Sequence, residues 1–388
     1  MTLDSLLGQE TAAAILRNAM LRERVAHAYL FTGPEGVGKR TAALALARAL
    51  NCEAPPGVGL SCESCPTCTR IAAGLHPDVR LVTPAAGLPP DASPELLDAL
   101  GERAQITIGQ IRGEQDKPFP SPPPLLHDAA LRPHSARRRV FVVDPADRLN
   151  PFAANALLKL LEEPPEYVVL VLVTSRLAAL LPTIISRCQQ VQFRPAPREA
   201  VARLLEGRGA DPKHAALLAS LSDGRPGWAV TAWKRPETLQ TRARMLDLVA
   251  SLAAAEPRQA LRLAATLKSL ALESWAQESQ AEVVGDEDEE SEPGDRPRLS
   301  PDRVLRARLP LLLEIALAWY RDVLAAQAGA ADLALNADRA PQVAEEARRL
   351  SPTRVEQAIA ALEQAKTRLQ RNASVDLTLE AMFVALLQ

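Results

Sequence analysis

The apolar run AYLFT (Ala28–Thr32) leads straight into GPEGVGKRT (Gly33–Thr41), and an Ala/Leu-rich helical stretch follows over Arg40–Asn51. A short strand, a turn holding three glycines and a helix leave little choice of local fold. In such a turn successive backbone N–H groups converge on one point, where the helix N-terminus adds positive potential and Lys39 a full charge. The spacing GxxxxGK in this context predicts a phosphate loop, with Gly33, Gly36, Gly38, Lys39 and Thr41 as candidate nucleotide-binding residues for ATP or ADP. A tight turn without a ligand is the plainer alternative. One position departs from the pattern. Arg40 stands directly after the lysine, where a Ser or Thr hydroxyl would ligate Mg2+, and Thr41 comes one residue later. A guanidinium cannot ligate a cation, so Mg2+ binding is expected to be weak unless Thr41 reaches the ion.

Four more segments read as strands: Val79–Thr83, Arg139–Asp144, Val168–Thr174 and Gln190–Phe193. Several are continuous apolar runs, as in strands of a parallel sheet covered on both faces. Helical stretches such as Phe152–Glu163 lie between them, so the expected class is α/β with a parallel sheet. RPAPRE (Arg194–Glu199) ends the alternation, and the pattern beyond it is helical to the C-terminus. The expected organisation is a phosphate-loop domain over 1–195, a small helical domain over 196–240 and a larger helical domain over 241–388. Pro84–Pro133 is rich in proline and is expected to be irregular through most of its length.

Cys52, Cys62, Cys65 and Cys68 form C-x9-C-x2-C-x2-C within the first domain. Those intervals allow a tight turn to direct thiolates at one ion, and four sulfurs suit a tetrahedral structural Zn2+. An iron–sulfur cluster is the chemical competitor, and His76 is a nearby outsider that four thiolates make unnecessary. Crowded cysteines of this kind argue for metal binding over a disulfide framework. The opening MTLDSLLGQE shows no secretory signal, and no apolar run approaches the roughly 18 residues of a membrane span, so a cytoplasmic chain without a membrane partner is expected.

The 45 basic and 47 acidic residues give a net charge of −2, which argues against a protein that coats DNA by bulk charge. The average hides an asymmetry. Glu278–Asp295 holds nine acidic residues and no basic one; the rest of the chain carries 38 acidic against 45 basic residues, or +7. Such a block reads as a solvated disordered loop, placed at about 277–302, or less simply as a mimic of DNA. A moderately basic remainder is compatible with DNA as a partner.

RVFVVDPADRLN places four apolar residues before Asp144, the layout of a strand whose aspartate faces Mg2+ beside a phosphate loop. A buried strand ending in an Asp-Pro turn is the bland alternative. Taken in order, the phosphate loop, the four-cysteine insertion, DPADRLNPFAANALLKLLEEPP and the triplet Ser186, Arg187, Cys188 resemble the bacterial clamp-loader subunits of DNA polymerase III, of the AAA+ superfamily, and among them the delta-prime type. Specific motifs carry the resemblance over 1–230; beyond that only the helical character matches. The resemblance implies an AAA+ domain with a zinc-binding insertion, a helical lid and a helical collar. It also implies that Arg187 reaches across a subunit boundary to the γ-phosphate of ATP on a neighbour, a task suited to a planar five-donor fork. Thr174 falls where the family has a polar residue sensing the γ-phosphate. Pro145 replaces the glutamate that polarises the attacking water in active members. Trp228, near Arg225 in SDGRPGWAV, stands where active members place an arginine. LLEEPP (Leu160–Pro165) is assigned a structural turn.

By that resemblance the chain is a largely non-hydrolysing subunit that works with gamma/tau and delta subunits, the sliding clamp and primer–template DNA. The alternative, an active gamma/tau-like ATPase, requires Ser or Thr at position 40 and Glu at 145. A stand-alone zinc protein that binds nucleic acid requires basic and aromatic residues around the cysteines, and SCESCPTCTR offers one arginine and no aromatic.

Overall fold

A computed structural model describes residues 2–54, 60–84, 104–113, 123–284 and 300–387. They divide into two compact units, the first within 2–208 with 224–228 and the second within 209–223 and 229–387. The stretch 196–240 is shared between the two.

The first unit is built on strands β1 (Ala28–Thr32), β2 (Val79–Val82), β3 (Arg139–Val143), β4 (Val168–Thr174) and β5 (Gln189–Gln192), all parallel, in the order β2-β3-β4-β1-β5. The α/β class and its parallel sheet are as the sequence predicts. Successive side chains of a strand point to opposite faces, and here both faces are covered. On one face Tyr29, Phe31, Val140, Val142, Val169 and Val171 pack with helix α1 (Glu10–Leu21) and helix α2 (Lys39–Asn51). On the other, Leu30, Phe141, Val143, Leu170 and Leu172 meet Leu157, Leu160 and Leu161. The continuous apolar runs of β3 and β4 have this cause, since every residue in them is buried. β5 is an edge strand, and only Val191 of its four residues is buried.

Several prolines sit where helices begin. After α3 (Pro66–Ala72), α4 (Ile108–Ile111) and α5 (Leu125–Ala130), helix α6 (Pro151–Glu162) opens with Asn150 as its cap, the amide oxygen accepting from Ala153 N–H at 2.8 Å. Pro151 follows at the first helical position, where no N–H is required. Helices α7 (Pro182–Ile185) and α9 (Pro212–Leu221), on either side of α8 (Arg198–Glu206), also begin with proline. Within Pro84–Pro133 the described residues include two short helices, α4 and α5, and several buried apolar side chains. Ile106, Ile111, Leu125 and Ala129 are buried in the second of the two sheet cores, and Ile106 bridges to Leu149. Anchoring by those apolar side chains overrides the local proline content; residues 85–103 and 114–122 lie outside the described residues.

In the second unit α11 (Pro236–Ser251), which follows α10 (Pro226–Lys234), packs with α12 (Ala260–Val284), α13 (Pro301–Gln327), α14 (Ala340–Arg349), α15 (Pro352–Gln370) and α16 (Val375–Leu387) around Leu309, Leu313, Leu362, Leu379 and Phe383. A buried polar link completes it. The Asp322 carboxylate accepts from the backbone N–H groups of Leu335 and Asn336, and Arg242 bonds Asn336 and Asp338. The two ends of the stretch expected as an acidic loop, 277–302, are helical. α12 runs to Val284, because QESQAEVV carries only two acids among good helix formers, and α13 starts at Pro301 behind Ser300. Residues 285–299, with most of the acidic block, lie outside the described residues.

Buried Asp78 ties the entry of β3 to the sheet. Burial alone would raise its pKa. Backbone N–H groups of Ser135, His134 and Ala136 and the Arg139 guanidinium donate to it and win, holding it at about 2 against 3.8. The lowered value means that this stabilisation is complete above about pH 4 and drains away as pH falls towards about 2. Asp78→Asn is expected to cost about 2 kcal/mol at neutral pH, Arg139 keeping Asp128 as a partner at 2.6 Å. The deficit against wild type narrows over that acid range in denaturant titrations.

Candidate functional site

The phosphate loop leaves the C-terminal end of β1, the end at which open parallel sheets bind ligands. Its width is set by backbone contact. Gly33 has φ +136°, and a Cβ there would lie 2.3 Å from the Phe193 carbonyl oxygen, so only glycine fits. Gly36, at φ +74°, offers its carbonyl to Gly227 N–H at 2.8 Å. Gln9 holds the loop from the other side: its amide bonds the backbone N–H and carbonyl of Arg194 and the Val37 carbonyl. Sequence reasoning passed over Gln9, because a lone glutamine gives no pattern.

Lys39 begins α2 and is buried, its ammonium donating to the carbonyls of Gly33 at 2.7 Å and Pro34 at 2.5 Å. Burial pushes its pKa down, against the attraction of Asp144, Glu35 and Asp147. Gly38, in the left-handed region, ends the loop, and Thr41 lies half-buried in the first turn of α2. Asp144 follows β3, and its N–H continues the ladder to Val82. The decisive geometry is between these two strand ends. Arg40 Nε donates to Asp144 Oδ2 at 2.5 Å, so the carboxylate aligned to face Mg2+ is paired with the guanidinium that stands in place of the hydroxyl. The pairing was not legible from positions 104 residues apart.

Thr174, at the end of β4, donates to Asp147 Oδ1 at 2.7 Å, and Arg176 binds the other oxygen at 3.0 Å. Asp147 therefore closes a small polar cluster with the strand-end threonine. Trp228 sits by the phosphate loop through its backbone, its N–H 3.2 Å from where a Cβ on Gly36 would be, with the Arg225 guanidinium 5.8 Å from its ring centre.

Arg187 is not brought to this site. Gln189 pairs with Tyr29 in the parallel register of β5 on β1, so Arg187 lies before the start of the sheet while the phosphate loop lies beyond its end. About 16 Å of strand separates the two. The guanidinium donates to Glu162 Oε1 at 2.8 Å and to the Thr183 carbonyl at 3.0 Å, and remains 37% exposed. Glu162, assigned only to a structural turn by its sequence, is thus the residue that holds Arg187. Cys188 beside it is largely shielded, and burial pushes its thiol up to about 12.

The four predicted cysteines do converge. Their sulfurs all lie within 4.8 Å of one another, and zinc–sulfur bonds of about 2.3 Å place tetrahedral ligands about 3.8 Å apart. Backbone N–H groups of Cys62, Cys65 and Cys68 point at the sulfurs of Cys52, Cys62 and Cys65, at 3.3–3.4 Å. N–H groups of Cys65 and Ser64 bring the Cys62 thiol down to about 6, whereas burial drives that of Cys68 up. A bound cation reverses the second effect by stabilising the thiolate. His76 is outside the set, its Nδ1 accepting from Asp78 N–H. The centre fits a metal ion such as zinc.

A parallel β2-β3-β4-β1-β5 sheet with a glycine loop after its interior strand β1 and an aspartate after β3 defines a P-loop domain of AAA+ type. Residues 8–197 match the family described as DNA polymerase III, delta subunit, and residues 306–387 its C-terminal counterpart, together more than two thirds of the chain. The chain belongs to the family of DNA polymerase III clamp-loader subunits. It is 34% identical over 240 residues to subunit delta' of Bacillus subtilis, covering 62% of this chain and 64% of that one. It is 36% identical over 210 residues to subunit delta' of Pseudomonas aeruginosa, covering 53% and 55%, and 33% identical over 198 residues to subunit tau of Bacillus subtilis, covering 51% and 30%. The chain thus spans less than two thirds of the length of each. Among the described residues no helix is long and apolar enough to cross a membrane.

Metal removal tests the cysteine centre. The native protein is expected to carry about one equivalent of metal per chain, with all four thiols shielded from a thiol reagent. A strong chelator should expose them and lower the melting temperature; full thiol reactivity in the native protein would contradict the site.

Proposed function

We propose that this chain is a delta-prime-type subunit of the DNA polymerase III clamp loader. It works with gamma/tau and delta subunits to place the sliding clamp on primed DNA in the cytoplasm, and its own site turns ATP over poorly or not at all. The observation that carries this reading is the Arg40–Asp144 pair. It sets a fixed cation against the carboxylate, and Pro145 removes the acid–base group expected next to it. The three-part division into AAA+ domain, lid at 196–240 and collar at 241–388 belongs to the same reading, as does a structural Zn2+ on Cys52, Cys62, Cys65 and Cys68.

Arg187 is the residue we assign to the neighbour. Its position at the far end of the sheet from its own phosphate loop supports action on a nucleotide held by another subunit, with Glu162 presenting the guanidinium. Thr174, engaged with Asp147, has a structural duty that accounts for it. The gamma/tau-like ATPase reading is disfavoured by Arg40 and Pro145, while the identities to delta' and tau relatives, 34% and 33%, do not separate the two.

Purified alone, the protein is expected to show negligible ATP turnover, and robust turnover would overturn the reading. In a loader reconstituted with its partner subunits, Arg187→Ala should lower DNA-stimulated ATPase activity by about tenfold or more while the complex still assembles in gel filtration. Glu162→Gln is expected to give a milder loss of the same kind. Wild-type rates from the Arg187 variant would refute the finger assignment.

A further inference from the structure

The phosphate loop keeps its anion-binding geometry and has lost its magnesium position. Arg40 occupies the place of the ligating hydroxyl, and its guanidinium is already bonded to the carboxylate that would face the ion, with side-chain exposures of 30% and 11%. A divalent cation brought there would have to strip the guanidinium from Asp144 and then lie against its charge. Two further carboxylates act on Lys39: Asp147, engaged by Thr174 and Arg176, and Glu35, within the loop itself. The donor set does not fit Mg2+.

The anion-binding half is intact by contrast. The glycine conformations of a phosphate cradle are present at positions 33, 36 and 38. Lys39 is buried, and its ammonium rests on the carbonyls of Gly33 and Pro34, partners that an incoming phosphate oxygen would displace. Asp144 is paired within the fold, so Lys39 and the N-terminus of α2 are left to face a ligand's phosphates.

We propose that this loop takes a nucleoside di- or triphosphate without a divalent cation, the Arg40–Asp144 pair standing where the ion would be. The inference rests on the reading of the loop as a nucleotide site. Mg2+ aids binding by offsetting phosphate charge. Here Lys39 and the N-terminus of α2 do that work, while Arg40 holds Asp144, so added Mg2+ gains no carboxylate from the pair.

The test is calorimetric titration of the full chain with ADP and with a non-hydrolysable ATP analogue, in excess EDTA and in Mg2+. Wild-type affinities are expected to agree within about twofold between the two conditions. Arg40→Ser restores the hydroxyl and frees Asp144, and should bind about tenfold more tightly with Mg2+ than with EDTA. Mn2+ with ADP should give a protein-bound spin-resonance signal with that variant and none with wild type. Wild-type binding that depends on Mg2+ overturns the proposal, and so does an Arg40→Ser variant that stays cation-independent. Absence of nucleotide binding in both buffers also overturns it. The wild-type comparison stands alone if the variant fails to fold. None of these failures touches the clamp-loader reading, which the Arg187 experiment in the reconstituted complex judges separately.

Discussion

A strand pairing in parallel on both sides cannot turn back on itself, so each return must cross a face of the sheet and cover it. That constraint organises the first unit. β3 and β4 are buried on both faces, and their register with β1 brings the ends of β1, β3 and β4 to one edge. Lys39, Asp144 and Thr174 need no long loops to meet there, because each follows or closes a strand of that set. The same register keeps Arg187 away, since it precedes β5 where the others follow their strands.

The chemistry gathered at that edge is one of paired charges. Arg40 is matched by Asp144, Arg176 by Asp147, and the Lys39 ammonium by two loop carbonyls. An active phosphoryl-transfer site keeps a carboxylate for its metal and another for its water; here Asp144 and Asp147 serve arginine and threonine. At the other end of the sheet Arg187 is held by a carboxylate on an exposed surface, a pairing of small intrinsic strength that another anion can replace.

What could be read from the sequence was what depends on local pattern. The strands were legible because two-sided burial writes itself as unbroken Val/Leu runs, and the cysteines because thiolate ligands need fixed short spacings. Arg40 was legible as an irregularity, though not its partner, since a contact between residues 40 and 144 is made by sheet order and not by any local signal. Glu162 and Asp147 were missed as functional neighbours for the same reason. The proline-rich segment gave no hint of its anchors: Ile106, Ile111 and Leu125 tie its described parts to a core that lies elsewhere in the chain.

The contact of Gly33 with Phe193 separates two kinds of position within one loop. Gly33 is required by the packing of the end of β1 against the end of β5, and a side chain there would collide with backbone whether or not any ligand binds. Position 40 carries no glycine demand of that kind, and its side chain reaches the Asp144 carboxylate after β3. The architecture of the loop and its chemistry are therefore independently mutable. A chain of this kind can change the groups beside its phosphates and still keep the loop, because the loop is also the corner that joins two strands.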